Sequence, residues 1–234
     1  MKPALKVNSL QLKIIAMCSM LLDHAAVALP FFRLPENEAL YLIMRGIGRL
    51  AFPLYAFLLA LGAEKTKSLT AYLLRLIMMA LISEIPFDLM NYQKPFVWEG
   101  QNVFFTLSLG LLAIYIYRAA RERWGDKPLA YSSLFFLPAA AWAAHLLNFD
   151  YGTDGIILIF GLYLWRTEYK QDKAFPFYLA AVMLLLWLQN PLQWLAFLAV
   201  PLMYFYNGDP APKSLKPLFY LFYPLHLLLL AVIR

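Results

Sequence analysis

The sequence contains little that a soluble or disulfide-bonded protein would need. Its 234 residues include one cysteine, Cys18, and only 15% of them are charged. A single cysteine excludes a disulfide within the chain and argues against a thiol-ligated metal site. Soluble domains carry about 25% charged residues, so a soluble fold is not expected. A glycine-rich phosphate loop and an internal repeat are also missing, and the second absence disfavours a transporter built from inverted halves.

Long apolar runs make up most of the chain. The chain is 62% hydrophobic with a mean hydropathy of +0.62, and aromatic residues cluster at the ends of the runs, as at membrane interfaces. We predict an all-α, polytopic transmembrane bundle that forms a single domain over residues 1–234. About nine spans are expected (eight to ten), and the sixth, seventh and eighth, of 10, 14 and 15 residues, fall below the usual 17–25 residues. The runs cover residues 10–29, 40–61, 69–89, 102–117, 131–147, 156–165, 175–188, 192–206 and 217–233.

The basic residues between these runs predict the orientation. Placing the N-terminus in the cytoplasm puts three basic residues outside, Arg33, Lys94 and Arg234. The remaining loop and flanking cations all fall inside, as the positive-inside rule requires. The net charge of +6 is therefore explained by topology, and no nucleic-acid partner is expected. No small-residue cleavage site precedes the polar residues of the first run, which we expect to be a retained helix.

Ionisable residues inside the runs mark the candidate site. Each costs roughly 2.5–3.5 kcal/mol at the membrane centre, so Asp23, His24, Arg45 and Arg49 must pair, face water or do chemistry. Other polar residues fall in the same outer half of the predicted bundle, and we expect one partly hydrated cavity. These residues are Glu84, Asp88, Asn102, Thr106 and Asp150, with His226 nearer the middle. Gly46 and Gly48 would allow a close approach to the second span, which Pro53 should kink.

His24 is the strongest candidate for proton transfer, because an imidazole pKa near 6.5 suits general-base chemistry at neutral pH. Asp23 points about 100° away from it on a helix, so we expect Asp23 to pair with an arginine. Glu84 or Asp88 would then orient His24. Structural alternatives stay open: the arginines could snorkel to head groups, the acids could be their ion-pair partners, and His226 could be a core histidine bonded to a carbonyl.

Six segments resemble the TraX family of bacterial membrane proteins, in order along almost the whole chain. They are LKIIAM leading to LDH (12–17 and 22–24), RGIGRLAFP (45–53), SEIPFD (83–88), QNVFFT (101–106), DYG (150–152) and FYPLH (222–226). The family takes its name from conjugative plasmids, where a member N-acetylates pilin. The resemblance implies a multi-pass protein of the bacterial cytoplasmic (inner) membrane.

The resemblance also implies an acyltransferase that uses acetyl-CoA or another acyl-CoA as co-substrate and no metal. His24 would be the general base, with Asp23, Glu84, Asp88 and His226 in the catalytic group. Arg45, Arg49, Asn102 and Thr106 would bind the cofactor, and Asp150, Tyr151 and Tyr223 the substrate. The cluster Arg118, Arg121 and Arg123 is an alternative site for the coenzyme phosphates.

The expected partners are the acyl-CoA, the lipid bilayer, a second copy of the chain in a homodimer, and an acceptor. The acceptor would be a peptide N-terminus, a sugar, a lipid or a small molecule. Two other classes of function fit the same residues. A solute or lipid transporter could use the arginines, acids and histidines as a charge relay. A non-catalytic assembly factor would tolerate the loss of His24.

Overall fold

The computed structural model describes residues 6–125, 135–168 and 191–234, apart from the side chain of Lys213. Over these residues the fold is all-helical, as predicted, and the extended pairing is limited to the isolated bridges Val7–Tyr206 and Gln101–Phe149. The chain divides into two compact units. Unit 1 draws on Met1–Leu58, Ile85–Pro95 and Pro176–Arg234, and unit 2 on Leu59–Glu84 and Phe96–Phe175.

Helix α1 (Ser9–Ala28) opens unit 1 with a reciprocal cap. The Asn8 side chain accepts from the Gln11 N–H at 2.9 Å, and the Gln11 side chain accepts from the Asn8 N–H at 2.8 Å. Two orphan N–H groups of the first turn are thereby satisfied. The helix ends before Pro30, and two 3-10 turns, Pro30–Arg33 and Pro35–Asn37, lead to the next helix.

The second predicted span is two helices, α2 (Glu38–Gly48) and α3 (Ala51–Lys65). The break lies at Arg49 and Leu50, whose N–H groups donate at 3.1 Å to carbonyls only three residues back. Pro53 causes it from a distance, since it offers no N–H to the Arg49 carbonyl and its ring crowds that carbonyl. The kink expected at Pro53 therefore appears one turn earlier, and Pro53 itself lies in the first turn of α3.

Helix α4 (Leu69–Tyr92) continues through Pro86, and α5 (Val103–Trp124) begins at the N-cap Asn102. Unit 2 also contains α6 (Leu137–Leu146) and α7 (Gly152–Thr167), both in contact with α5. Helix α5 runs two turns beyond the predicted end at residue 117. Arg118, Arg121 and Arg123, which the sequence placed in a loop, are therefore helical.

The described residues 191–234 of unit 1 form a 3-10 helix (Pro191–Leu198), a short α8 (Ala199–Tyr204), a 3-10 turn (Lys213–Leu215) and α9 (Lys216–Ile233). Helix α1 packs against α2 on one side and α9 on another. This packing brings residues from both ends of the chain to one place, and the candidate site lies there.

Four segments of the described chain are long and apolar enough to cross a membrane: Ser9–Ala28, Pro35–Lys65, Val103–Trp124 and Lys216–Ile233. Helix α4 adds an outward apolar face. Leu81 on that face is 63% exposed and Ile82 54% exposed. Such a surface would be unfavourable in water and suits lipid. The predicted run 175–188 and the start of the run 131–147 lie outside the described residues.

Candidate functional site

A buried ion cluster joins α1 to the end of α2 in unit 1. Asp23 is 8% exposed and pairs with Arg45 at 2.8 Å and also with Arg49. The Arg49 Nε donates to the Arg45 carbonyl at 3.1 Å, which fixes the second guanidinium in place. The expected pairing of Asp23 with an arginine is confirmed, and both arginines take part. One buried carboxylate thus contacts two guanidinium groups.

The glycines of α2 make this contact feasible. A Cβ on Gly48 would lie 2.7 Å from the Asp23 Cγ, closer than side-chain atoms approach. A Cβ on Gly46 would likewise meet the end of the Leu195 side chain. The prediction that both glycines permit close packing is confirmed, and at Gly48 the neighbour is the site carboxylate itself.

His24, the next residue of α1, turns toward α9. Its Nδ1 lies 2.7 Å from the Nε2 of His226, and the two rings are nearly parallel, with centroids 5.0 Å apart. The Tyr223 ring meets both imidazoles edge-on, at 6.0 Å from His24 and 5.6 Å from His226. We expected Glu84 or Asp88 to orient His24. That expectation is wrong, because the described hydrogen-bond partner of His24 is His226.

The hydrogen bonds of His226 determine which nitrogen of His24 carries the proton. The Nδ1 of His226 lies 2.7 Å from the Phe222 carbonyl oxygen, which only accepts, so this Nδ1 must carry a hydrogen. In a neutral His226 the Nε2 is then an acceptor, and the His24 Nδ1 must donate to it. The Nε2 of His24 is left with the lone pair, and none of the described residues hydrogen-bonds it.

Packing holds His226 in this orientation. It is 5% exposed and stacks on the Phe222 ring with centroids 4.6 Å apart. Tyr223, beside the helical Pro224, is 3% exposed. The sequence had left open that His226 is a core histidine bonded to a carbonyl. It is such a histidine, and in addition it holds His24.

The site in unit 1 thus combines a base with a nearby cation. Arg45 and Arg49 are close enough to His24 to act on it electrostatically. A lone-pair nitrogen of defined tautomer accepts a proton, and a fixed guanidinium stabilises negative charge that develops beside it. This pair of properties suits attack by an amine or hydroxyl on a carbonyl.

A second group of predicted site residues lies in unit 2. Asn102 is fully buried and caps α5, its Oδ1 accepting from the Phe104 N–H at 3.0 Å. Its Nδ2 donates to the Ala80 carbonyl at 2.8 Å and to the Glu84 carboxylate. Both amide hydrogens of Asn102 are therefore used within the protein, and this residue ties α4 to the start of α5.

Thr106 ties the same helix to the turn before α7. Its hydroxyl donates to the Asp150 carbonyl, and the Asp150 N–H donates to the Gln101 carbonyl at 3.1 Å. Tyr151 follows with a positive φ of 59°, a conformation that is uncommon for residues with a side chain. The side chains proposed as cofactor donors thus bond within unit 2 in this structure: Asn102 links α4 to α5, and Thr106 holds the turn.

The predicted residues therefore fall into two sets, one within each unit. Asp23, His24, Arg45, Arg49 and His226 meet in unit 1, where Tyr223 joins them and Asp88 is 1% exposed. Glu84, Asn102, Thr106 and Asp150 meet in unit 2. Sequence reasoning missed the contact between His24 and His226. The available signal was weak: they are two of three histidines, both in strongly apolar runs.

Comparison with known proteins gives two matches. The family described as TraX protein matches residues 9–234. A curated relative from Dichelobacter nodosus, described as "Probable fimbrial assembly protein FimC, serogroup H1", is 31% identical over 243 residues, covering 95% of this chain and 94% of the relative. No solved structure matches.

Proposed function

The chain belongs to the TraX family, and from that premise we propose that it is an integral-membrane acyltransferase. It would transfer an acetyl group from acetyl-CoA to an amine or hydroxyl. The observation that carries this proposal is the His24 Nε2, a lone-pair nitrogen held in one tautomer beside a cationic cluster. The relative's name concerns fimbrial assembly and favours a protein amine as acceptor over a sugar, a lipid or a small molecule.

The chemistry follows from the two neighbouring groups. As the acceptor nitrogen or oxygen attacks the thioester carbonyl, the His24 Nε2 removes its proton. The carbonyl oxygen becomes negative, and the guanidinium of Arg45 stabilises it. The carbon–sulfur bond then breaks, and the imidazolium returns the proton to the leaving thiolate of coenzyme A. His226 keeps the His24 Nδ1 hydrogen-bonded throughout.

The proposed setting is the bacterial inner membrane, which the chain would cross about nine times. The N-terminus would lie in the cytoplasm, and so would Arg118 and Arg121 at the end of α5. Four described segments of sufficient length and the distribution of basic residues support this arrangement. Acyl-CoA would enter from the cytoplasmic side, since the coenzyme is made there.

Transfer from radiolabelled acetyl-CoA by the purified protein tests the function. Turnover includes the slow hydrolysis that occurs without an acceptor. We expect His24→Ala to lose about 10²–10⁴-fold, the usual contribution of a general base. His226→Ala should lose less, because it frees the ring of His24 without removing the base. His145→Ala is the matched control, since His145 is exposed on α6.

Full turnover by His24→Ala would contradict the role of this residue. Loss of turnover in His226→Ala alone would support an acyltransferase whose general base is His226. If no form binds coenzyme A or turns it over, the acyltransferase is wrong, and the charge-relay transporter becomes the better hypothesis.

A further inference from the structure

A second cluster of charged residues lies in unit 2, where the C-terminal turns of α5 and α7 meet the end of α3. Arg166 pairs with Glu64 at 2.7 Å, and Arg121 pairs with Glu168. Arg118 donates to the Ala63 carbonyl at 3.2 Å. Among the described residues, three guanidinium groups therefore gather around two carboxylates.

Two buried tyrosines form the floor of this cluster. Tyr117 is 4% exposed and Tyr163 5% exposed, and their rings meet edge-on at 6.3 Å. Arg121 donates to the Tyr117 hydroxyl at 3.4 Å. Arg118, Arg121 and Glu64 all lie close enough to Tyr163 to act on it electrostatically. The charged groups thus form one site rather than separate surface pairs.

Within the part of the chain that the structure describes, Arg118 is the member of this cluster that pairs with no carboxylate. Within the described residues its one hydrogen bond goes to the Ala63 carbonyl, which leaves four of the five guanidinium N–H donors for a ligand. Arg118 therefore keeps most of its donors available for an anion.

We propose that Arg118, Arg121 and Arg166 form a phosphate-binding site on unit 2, with Arg118 as the principal anion-binding residue. The planar fork of a guanidinium matches two phosphate oxygens, and such charge-assisted pairs are among the strongest hydrogen bonds. Glu64 and Glu168 hold the other two arginines in fixed positions, and the tyrosine floor limits the depth to which an anion enters.

The phosphate has two candidate sources, the phosphates of the coenzyme and the head group of an anionic lipid. The first source rests on the proposed acyltransferase function and deepens it, because it assigns the coenzyme phosphates to the end of α5. Arg49 is a poorer candidate for that role, since Asp23 and the Arg45 carbonyl already bond it. Arg118 lies about 24 Å along α5 from Asn102, the N-cap of that helix, because each helical residue adds about 1.5 Å.

Binding measured by calorimetry on the full-length protein tests the site. The soluble probes are coenzyme A and adenosine 3′,5′-bisphosphate, added to protein in a neutral detergent. For the lipid, the protein is placed in nanodiscs, and its preference for phosphatidylglycerol over phosphatidylcholine is measured. We expect Arg118→Gln to weaken binding of its phosphate ligand about ten- to hundredfold. Lys67→Gln, which removes an exposed charge from the loop after α3, should bind like the wild type.

Each outcome identifies the source or rejects the site. Loss of both soluble probes in Arg118→Gln supports the coenzyme, and loss of the lipid preference alone supports a head group. Unchanged affinity for all probes overturns the proposal, as does a loss equal to that of Lys67→Gln. Arg118→Lys keeps the positive charge but lacks the planar guanidinium that matches two phosphate oxygens. It provides the same test if Arg118→Gln does not fold. Coenzyme binding without acetyl transfer would contradict the acyltransferase and leave this site intact.

Discussion

Replacing Asp23 with asparagine removes the one carboxylate that faces both Arg45 and Arg49. The two pairs are largely desolvated: the side chain of Asp23 is 12% exposed, that of Arg49 9% and that of Arg45 20%. Asparagine has the same shape, but it offers one acceptor oxygen and turns an amide toward the other guanidinium. The Asp23→Asn protein would therefore keep two guanidinium groups that have lost this carboxylate partner.

The exposures decide which magnitude applies. An exposed ion pair contributes about 0–1 kcal/mol, whereas removing one partner of a buried pair costs about 3–5 kcal/mol. Because Arg49 is nearly excluded from solvent, we expect the second range. For a chain of this size 1 kcal/mol shifts the melting temperature by about 2–4 °C, so Asp23→Asn should melt about 6–20 °C below the wild type.

Thermal unfolding of the purified protein in detergent, followed by intrinsic tryptophan fluorescence, measures this shift. Glu36→Gln is the matched control, because it removes one negative charge from an exposed position just before α2. The double variant Asp23→Asn/Arg49→Gln should be more stable than Asp23→Asn alone, since it removes the buried guanidinium that has lost the Asp23 carboxylate.

Two results would refute this reasoning. One is a shift in Asp23→Asn no larger than that of Glu36→Gln, which would mean that water already screens the cluster. The other is a double variant whose loss equals the sum of the single losses, which would mean that Asp23 and Arg49 do not depend on each other.

The remaining predictions concern packing and capping. Gly48→Ala should lower both the melting temperature and acetyl transfer, because its Cβ would push Asp23 away. Gly208→Ala strains an exposed loop through its φ of 90° but has open space for a Cβ, so it should lower the melting temperature and leave transfer unchanged. Equal transfer by the two variants would contradict the role of Gly48. Asn102→Ala should destabilise the protein by about 2–4 kcal/mol, because it removes the N-cap of α5 and leaves the Glu84 carboxylate and the Ala80 carbonyl without this donor. Asn102→Ser, which keeps a cap oxygen but not the amide donor, should recover the capping part alone, and equal loss in both variants would show that the cap contributes little.

The sequence predicts well the bounds of α1 and α9, the first and last described helices of unit 1. The runs 10–29 and 217–233 match α1 and α9 within one or two residues, because a long apolar run bounded by polar residues and proline leaves little choice of end. The break at Arg49 was placed one turn late, because proline acts on the carbonyl four residues before it. The end of α5 was also missed: charged residues stop an apolar run but do not stop a helix, and Arg118 and Arg121 continue it.

The polar contacts were predicted only where local geometry determines them. The pairing of Asp23 with an arginine followed from the cost of unpaired charge in an apolar run, whereas its contact with both Arg45 and Arg49 was not predicted. The contact between His24 and His226 joins residues 202 positions apart, and no feature of either segment specifies the other. Asn102 and Thr106 looked like donors for a ligand because they are polar, whereas in the structure they hold neighbouring segments together.

Asp23 and His24 are adjacent in sequence but do not act as an acid–base pair. Successive side chains on a helix diverge by about 100°, so the carboxylate cannot orient the imidazole beside it in sequence. Instead α1 lies against two helices, and each residue faces one of them: Asp23 meets the arginines of α2, and His24 meets His226 of α9. Contacts with α2 and with α9 therefore fix α1 at the same position along its length. The position and tautomer of the His24 lone pair thus depend on α9, while the positive charge near it depends on α2. A substitution on either helix should therefore change a different property of the same imidazole.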